Sequence, residues 1–330
     1  MKTRISRREL GASVSGGLLA LASTMVPGSV WAQSYPSKPI RLIVPFGTSA
    51  IDLVARGLSR EMTNMLGQSV VVENMPGAGS MIGTKLVVQA PKDGHTIMLV
   101  NNALAINPAI IKQMPYDSAK DLTAIGMVGH VPLVLMVPTS LPVNNLAELI
   151  ALAKSKPGDL TFGSNGRGTI IHLAGLLFAH EAGIDIRHVP YKEGGQMYTD
   201  LLAGRIDMAF PAASILAPHV HSGKLRALGA TAQTRSKVLP DVPTMREAGL
   251  PNYSVPGWML MVGPAGMPAS VVDRLQASLK SALAQPAMKE VLEKQDLTYQ
   301  ESTPQSTSQF IQAEIRKYDQ LVKQFNVTVD

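Results

Sequence analysis

The sequence predicts an α/β protein in which two α/β lobes are joined by two crossover strands. The chain has 330 residues, more than one hydrophobic core usually organises, so two domains are expected. Hydrophobic residues make up 45% of the chain and aromatic residues only 5%, a composition typical of helices packed closely on sheets. Short β-branched segments alternate with helical patterns, which indicates sheets built from parallel βαβ units.

The first α/β unit begins with the β-branched run at residues 40–44. A helix is expected over residues 52–66, because Leu58, Met62 and Leu66 fall on one helical face. Gly67 follows at the position of a helix C-terminal cap. Two further strands are expected over residues 69–73 and 96–100, with a glycine-bearing segment at 76–83 between them.

The middle of the chain repeats this alternation. Strands are expected over residues 160–163, 184–189, 206–210 and 225–231. Helices are expected over residues 146–154, 171–182, 197–203 and 214–222, the second and third capped by Gly183 and Gly204. The C-terminal part is predicted to be helical over residues 269–284, 288–295 and 303–325, the last helix opening at Thr303 and Pro304.

Two apolar strands, near residues 131–137 and 255–262, lie on either side of the middle α/β block. A chain that passes twice between two lobes has this pattern. The sequence therefore predicts a discontinuous first lobe (residues 33–132 and 254–330) and a second lobe (residues 133–253). Ligands of such sheets bind outside the carboxyl ends of the parallel strands.

Residues 1–32 are predicted to be a signal peptide. Basic residues precede a mildly apolar run, and the small-residue site at residues 30–32 predicts cleavage after Ala32. The Arg7-Arg8 pair favours twin-arginine (Tat) export; an ordinary Sec signal with a chance arginine pair is the alternative. Export would place the protein in the periplasm.

Composition excludes several classes of function. The chain has no cysteine, which removes disulfides, thiol nucleophiles and cysteine-bound metals. After Val26 no apolar stretch has the length of a membrane span. Removing the four basic and one acidic residues of the signal lowers the formal charge from +6 to +3, too little for a nucleic-acid surface.

Two turns between a strand and a helix are predicted to bind an anion. The first follows residues 40–44, and its backbone N–H groups at a helix N-terminus are joined by hydroxyl donors. Its candidate ligand-binding residues are Phe46, Gly47, Thr48, Ser49, Ala50 and Asp52. A plain turn in which Asp52 caps the helix is the alternative.

The second turn spans residues 162–169, where three glycines allow close backbone approach. Its candidate ligand-binding residues are Ser164, Asn165, Gly168 and Thr169. Arg167 could add charge or could simply be solvated.

Further candidates follow strands or open helices. They are Asn101 and Asn102 after the third strand, His172 in a first helical turn, and Tyr191 after Pro190. The glycine-bearing segment at 77–83 does not fit a dinucleotide fingerprint, and Phe162 occupies the first position of what would be a nucleophile elbow around Ser164. No catalytic residue, cofactor or metal site is predicted.

An ordered series of motifs resembles one protein family over nearly the whole mature chain. The motifs are YPSKPIR (35–41), VPF (44–46), VVEN (71–74), PGAG (76–79), HVPYK (188–192), TDLL (199–202), GKLRA (223–227), LPDVPT (239–244) and EAGLP (247–251). They are similar to those of the Bug-type substrate-binding proteins of the tripartite tricarboxylate transporter group.

The resemblance implies a type II periplasmic binding-protein fold and a non-enzymatic receptor that captures a small organic anion, a carboxylate or aromatic acid, between its lobes. It implies membrane transporter subunits as partners and a monomeric receptor. A ligand-sensing partner of a signalling system, or an enzyme on the same scaffold, are the alternatives. Two departures concern the site: the first turn is shorter than usual, and Pro211 stands where many members carry an acid.

Overall fold

The computed structural model describes residues 35–328. The predicted signal peptide and its cleavage site lie outside these residues. Within them, no helix combines the length and the apolar character needed to cross a membrane.

Ten strands are present in the described residues. In chain order they are β1 (Ile40–Val44), β2 (Val70–Asn74), β3 (Thr96–Asn101), β4 (Leu122–Val131), β5 (Val134–Pro138), β6 (Thr161–Ser164), β7 (Arg187–Pro190), β8 (Met208–Ala209), β9 (Leu225–Ala230) and β10 (Gly257–Pro264).

Ten α-helices cover these strands. They are α1 (Ala50–Leu66), α2 (Met81–Val88), α3 (Ala103–Ile110), α4 (Leu146–Ser155), α5 (Ile170–Ala182), α6 (Gly194–Leu202), α7 (Ala213–His221), α8 (Ala269–Leu283), α9 (Pro286–Lys294) and α10 (Pro304–Gln324). A single 3₁₀ turn, Ala78–Ser80, precedes α2.

The helix ends follow the cap residues in the sequence. Gly67 and Gly183 end α1 and α5 with positive φ values of 70° and 62°, which glycine adopts without a side-chain clash. Thr303 and Ser306 form a capping box at the start of α10, with Pro304 in its first turn.

Two five-stranded sheets organise the molecule. The first has the order β2-β1-β3-β10-β4 and the second the order β7-β6-β8-β5-β9. We call each sheet with its helices a lobe. The first sheet takes strands from before and after the block that forms the second sheet.

The expectation of parallel sheets is wrong for part of each lobe. In the first lobe β10 runs antiparallel to both β3 and β4, and in the second lobe β5 runs antiparallel to β8 and β9. The reversed strands are those next to the passages between the lobes. A strand that leaves or re-enters a lobe there is not the end of a right-handed βαβ unit, so the rule for such units does not set its direction.

The passages themselves also differ from the expectation. The apolar run at 131–137 is not one strand: Pro132, which has no N–H to donate to a sheet, separates the end of β4 from the start of β5. The return passage covers residues 231–256. Thr231 joins the two passages, since its N–H donates to Leu133 O (2.8 Å) and its hydroxyl donates to Val255 O (2.9 Å).

Each face of the first sheet has its own core. Alternate residues of β1 point to opposite faces: Ile40, Leu42 and Val44 pack with α1, α8 and α9, whereas Ile43 packs in a cluster with residues of α3 and α10. The second lobe has one continuous core around β5, β6 and α5. The two lobes also pack on each other beside the cleft, since Leu173 of α5 is buried in the cluster with residues of α3 and α10.

Candidate ligand-binding site

A cavity of about 440 Å³ lies between the lobes. Its first-lobe wall comes from the ends of β1 and β3, from the 3₁₀ turn and from α3. Its second-lobe wall comes from the glycine-rich turn between β6 and α5. The size is within the range usual for small-molecule sites.

The glycine-rich turn is held by one carbonyl. Ser164 Oγ and Thr169 Oγ1 both donate to Gly166 O, at 2.9 and 2.8 Å. Gly166 and Gly168 have φ values of 115° and 73°, a region that other residues enter only with strain. The turn therefore keeps its backbone at the cavity wall and directs both hydroxyls back into itself.

Thr169 also begins α5. Its side chain accepts a hydrogen bond from His172 N at 3.4 Å as the helix N-cap. The first amides of a helix have no partner within the helix and carry a partial positive charge. This end of α5 faces the cavity through Gly168, Thr169 and Ile170, so it favours a negatively charged ligand group.

Two histidines lie behind the turn. The rings of His172 and His188 have centroids 4.0 Å apart, and His188 also contacts Phe162. His172 Nδ1 accepts a hydrogen bond from Gly168 N (3.1 Å). His188 Nε2 lies 2.7 Å from Ser164 Oγ. Because the serine hydroxyl donates to Gly166 O, the imidazole N–H is the donor in its contact with the serine oxygen.

Both imidazoles are held neutral. Burial, the largest cause, acts together with the neighbouring His188 and Arg167 to lower the pKa of His172 to about 3. Burial also lowers the pKa of His188 to about 4, again with a contribution from Arg167. The neutral form is the one that the hydrogen bond from Gly168 N requires, because a protonated imidazole has no acceptor.

Among the described residues that line the cavity, Arg167 is the only charged one. Its side chain is exposed, and within residues 35–328 no carboxylate pairs with it. An arginine in this position can hold a carboxylate through two parallel hydrogen bonds.

Three asparagines line the first-lobe side, and two of them have structural partners. Asn102 is buried; its amide donates to Tyr318 Oη and Pro256 O and accepts from Trp258 N. Asn107 donates to Gly79 O at 2.8 Å. Asn101 accepts from Ala103 N through Oδ1, and within residues 35–328 its amide nitrogen has no hydrogen-bond partner.

The rest of the lining is largely apolar. Helix α3 contributes Ile106 and Ile110 to this apolar lining, and Ile111 follows directly after the helix. The other large apolar side chains of the lining are Phe46, Met81 and Ile170. Apolar atoms make up most of the exposed surface of the cavity. Such a wall accommodates the hydrocarbon part of a ligand.

The structure brings six of the predicted site residues to the cavity lining. They are Phe46, Asn101, Asn102, Asn165, Gly168 and Thr169. The others lie outside the lining: Gly47, Thr48, Ser49, Ala50, Asp52, Ser164, His172, Tyr191 and Pro211. Ser164 and His172 lie directly behind the turn, as described above.

The remaining predicted residues have other partners. Asp52 is buried, accepts hydrogen bonds from Arg56 (2.9 Å) and Asn74 (2.9 Å), and the Arg56 hydrogen bond keeps its pKa below the usual range. Tyr191 donates to Asp200 at 2.9 Å. Pro211 lies beside the first passage, where its carbonyl accepts from Val134 N.

Sequence reasoning missed the α3 wall and Met81. The helix itself was missed, because Pro108 lies inside it and proline is expected to interrupt a helix. The apolar run at 103–106 directly after Asn102 is a signal that could have identified a wall beside the predicted amides. Arg167 was weighed as a charge donor and is brought to the lining.

Comparison with known proteins identifies a family for the chain. The chain matches the tripartite tricarboxylate transporter family receptor over residues 54–327. Protein BugT of Bordetella pertussis is 35% identical over 315 residues, covering 94% of this chain and 96% of BugT. The structure of Rpa4515 from R. palustris with adipate has 30% identity and a TM-score of 0.79, covering 89% of this chain and 99% of that one.

A second solved structure, MatC from Rhodopseudomonas palustris with bound malate, has 29% identity and a TM-score of 0.76, covering 87% of this chain and 100% of that one. Two α/β lobes around a cleft define the class of type II periplasmic solute-binding proteins, which confirms the predicted fold class. Within that class, the chain belongs to the tripartite tricarboxylate transporter receptor family, as its Bug-type motifs predict.

Proposed function

We propose that this protein is a periplasmic receptor that binds one small organic acid in the cleft between its lobes. The observation that carries the proposal is the glycine-rich turn at the cleft, where the N-terminus of α5 and the unpaired Arg167 meet. Both favour an anionic group at the same place. Relatives that were solved with adipate and malate support the class of ligand.

The transfer partner is proposed from the family alone. The family is that of receptors of tripartite tricarboxylate transporters. The protein with its bound acid is therefore proposed to deliver the acid to the membrane subunits of such a transporter. Export through the twin-arginine signal and cleavage after Ala32 belong to the same proposal.

Binding without chemical change is favoured by the surroundings of Ser164. A serine within 2.7 Å of a histidine is the contact expected of a nucleophile and its base, but such a base is normally oriented by a third group. In the described part of the chain, no carboxylate is hydrogen-bonded to His188, and Ser164 is buried outside the cavity lining. Its hydroxyl is instead used to hold the turn.

The test is to identify the acid and show that it leaves unaltered. We expect native mass spectrometry of the purified protein to show a bound small acid, and we expect a panel of mono-, di- and tricarboxylates to include members that raise the melting temperature by mass action. The acid released after prolonged incubation should be chemically intact. Conversion of the acid to a product, or no stabilisation by any acid, would contradict the proposal.

Deletion of the gene separates transport from sensing. Loss of uptake of that acid is expected if the receptor feeds a transporter. Normal uptake together with a lost transcriptional response to the acid would instead identify a sensing role.

A further inference from the structure

We infer that the ligand of this receptor is a monocarboxylate with an apolar body, of the hexanoate or phenylacetate type, rather than a di- or tricarboxylate. The inference rests on the proposed function and concerns the same cleft. It follows from the uneven distribution of charge and apolar surface in the cavity.

The cavity has a single charged pole. Arg167 is the only charged lining residue in the part of the chain that the structure describes, and it lies with the N-terminus of α5 on the second-lobe side. The first-lobe side offers asparagines, but the amides of Asn102 and Asn107 already donate to Tyr318, Pro256 and Gly79. Asn101 offers a neutral amide nitrogen there, so one carboxylate is matched by a positive charge and a second one is not.

The opposite wall is apolar. Ile106 and Ile110 of α3, and Ile111 directly after it, line the cavity together with Met81. Placing a second carboxylate against this wall would remove its hydration without supplying a cation or a set of donors, which is strongly unfavourable. A hydrocarbon chain or ring placed there gains from leaving water.

The first predicted turn, residues 46–52, does not supply the positive charge that a second carboxylate would need. Gly47, Thr48 and Ser49 lie outside the lining, and Ser49 Oγ donates to Gly47 O at 3.1 Å within the turn itself. Arg56, in the helix that follows, is paired with Asp52 and donates to Asn74 Oδ1 at 3.2 Å. Its guanidinium is thereby engaged with its own helix and with β2, and Arg56 is outside the cavity lining.

A matched set of ligands tests the inference by calorimetry on the purified protein. Hexanoate and adipate share chain length and differ by the second carboxylate; hexanamide lacks the charge; malate is a short, polar diacid. We expect hexanoate to bind at least about tenfold more tightly than adipate and malate, because only the diacids must desolvate a second charge. We expect hexanamide to bind at least about tenfold more weakly than hexanoate, because Arg167 then holds no carboxylate.

Two pairs of variants test which side of the cavity holds the apolar body of the ligand and which holds its carboxylate. Met81→Gln places an amide of similar size on the apolar wall and should weaken hexanoate binding, while Ile82→Gln, one residue along the same helix and 55% exposed outside the cavity, should leave the affinity unchanged. Arg167→Gln should abolish the difference between hexanoate and hexanamide. Arg167→Lys, which keeps the charge, should retain part of it.

The outcomes are distinct. Adipate or malate binding more tightly than hexanoate would overturn the inference while leaving the receptor function intact. Equal effects of Met81→Gln and Ile82→Gln would overturn the assignment of the apolar wall. If no acid in the set binds and the broader panel also fails, the proposed function itself is wrong.

Discussion

At the scale of single residues, the carbonyl of Gly166 holds together the glycine-rich turn between β6 and α5. It accepts from both Ser164 and Thr169, so the two hydroxyls stabilise the same backbone group from opposite ends of the turn. The sequence predicts these residues at the site because hydroxyls next to glycines are common in anion-binding turns. It cannot show whether a hydroxyl faces the ligand or the turn, since that depends on φ and ψ angles.

Thr169 should therefore contribute to stability as well as binding. Thr169→Ala removes the N-cap of α5 and a hydrogen bond of the turn, and we expect the free energy of unfolding to fall by about 1 kcal/mol. We expect binding of the acid to weaken up to about tenfold, because the turn becomes less ordered. Urea denaturation and calorimetry measure the two effects. Thr169→Ser keeps the hydroxyl and should restore both; a stable, fully binding Thr169→Ala protein would show that the cap has no role.

The histidine pair makes a second residue-scale prediction, on pH. Both imidazoles stay neutral in the folded protein, with pKa values near 3 for His172 and near 4 for His188, whereas in the unfolded chain their pKa is about 6.5. Below that pH the unfolded chain takes up protons that the folded chain does not, so the free energy of unfolding falls. This stabilisation is present above pH 6.5 and is lost progressively as the pH falls to about 4 for His188 and about 3 for His172, by at most about 1.4 kcal/mol per pH unit and group.

The measurement compares the wild-type protein with His188→Gln. Glutamine can still donate to Ser164 but does not titrate. The free energy of unfolding of the variant should therefore depend less steeply on pH between 6.5 and 4.5 than that of the wild-type protein. Carboxylates elsewhere titrate in both proteins, and the difference in slope isolates the histidine. Parallel pH profiles for the two proteins would refute the prediction.

At the scale of elements, the alternation of strands and helices could be predicted because it depends on local pattern. Helix α1 was expected over 52–66 and is observed as Ala50–Leu66, since its buried residues recur with helical spacing. Strand β4 was not expected. Its sequence contains Gly126 and Gly129, its pairing with β10 shifts register twice, and glycine lowers the local preference for a strand.

Strand direction could not be predicted, because it depends on partners that are distant in sequence. Strand β10 pairs with β3 and β4, which precede it by more than a whole lobe. The α3 wall of the site was missed for a related reason: its helix is stabilised by packing against α10 and β3, which outweighs the cost of Pro108.

The packing of α5 on β6 gives an element-scale prediction, because these two elements hold the glycine-rich turn between them. A Cβ at Gly175 would overlap the ring of Phe162, closer than side chains approach in proteins. Phe162 is fully buried and cannot move away easily. We expect Gly175→Ala to lower the free energy of unfolding by about 1 to 3 kcal/mol and to weaken acid binding by displacing the turn.

Gly195 in α6 is the matched control for Gly175. It is also helical, but a Cβ there meets no atom within 4 Å. Gly195→Ala should leave acid binding unchanged and should keep stability equal or raise it by up to about 1 kcal/mol, because alanine favours helix. Denaturation curves measure the free energy of unfolding of the two variants. Equal values for Gly175→Ala and Gly195→Ala would show that α5 can shift on β6 without destabilising the protein.

At the scale of the whole molecule, the two passages and helix α10 determine how the lobes can move. Thr231 ties the passages together through Leu133 and Val255, and Asn102 ties β3, the return passage and α10 at the cleft. The far end of α10 also contacts the second lobe, where Gln324 lies 3.0 Å from His180. Leu173 of α5 is also buried in the cluster with residues of α3 and α10. Because these contacts link the lobes, closure has to turn about them, as about a hinge.

Closure of the lobes on the acid is the expectation for the whole molecule. The two walls of the cavity belong to different lobes, so an acid that contacts both favours the conformation in which they are closest. We expect the radius of gyration from small-angle scattering to fall when the protein is saturated with the acid that gives the largest melting shift. Arg167→Gln at the same acid concentration is the control, because it should remain unsaturated and unchanged in size. A radius of gyration that stays constant while calorimetry shows full binding would mean that the cleft binds without closing, and that both walls are already in their final positions.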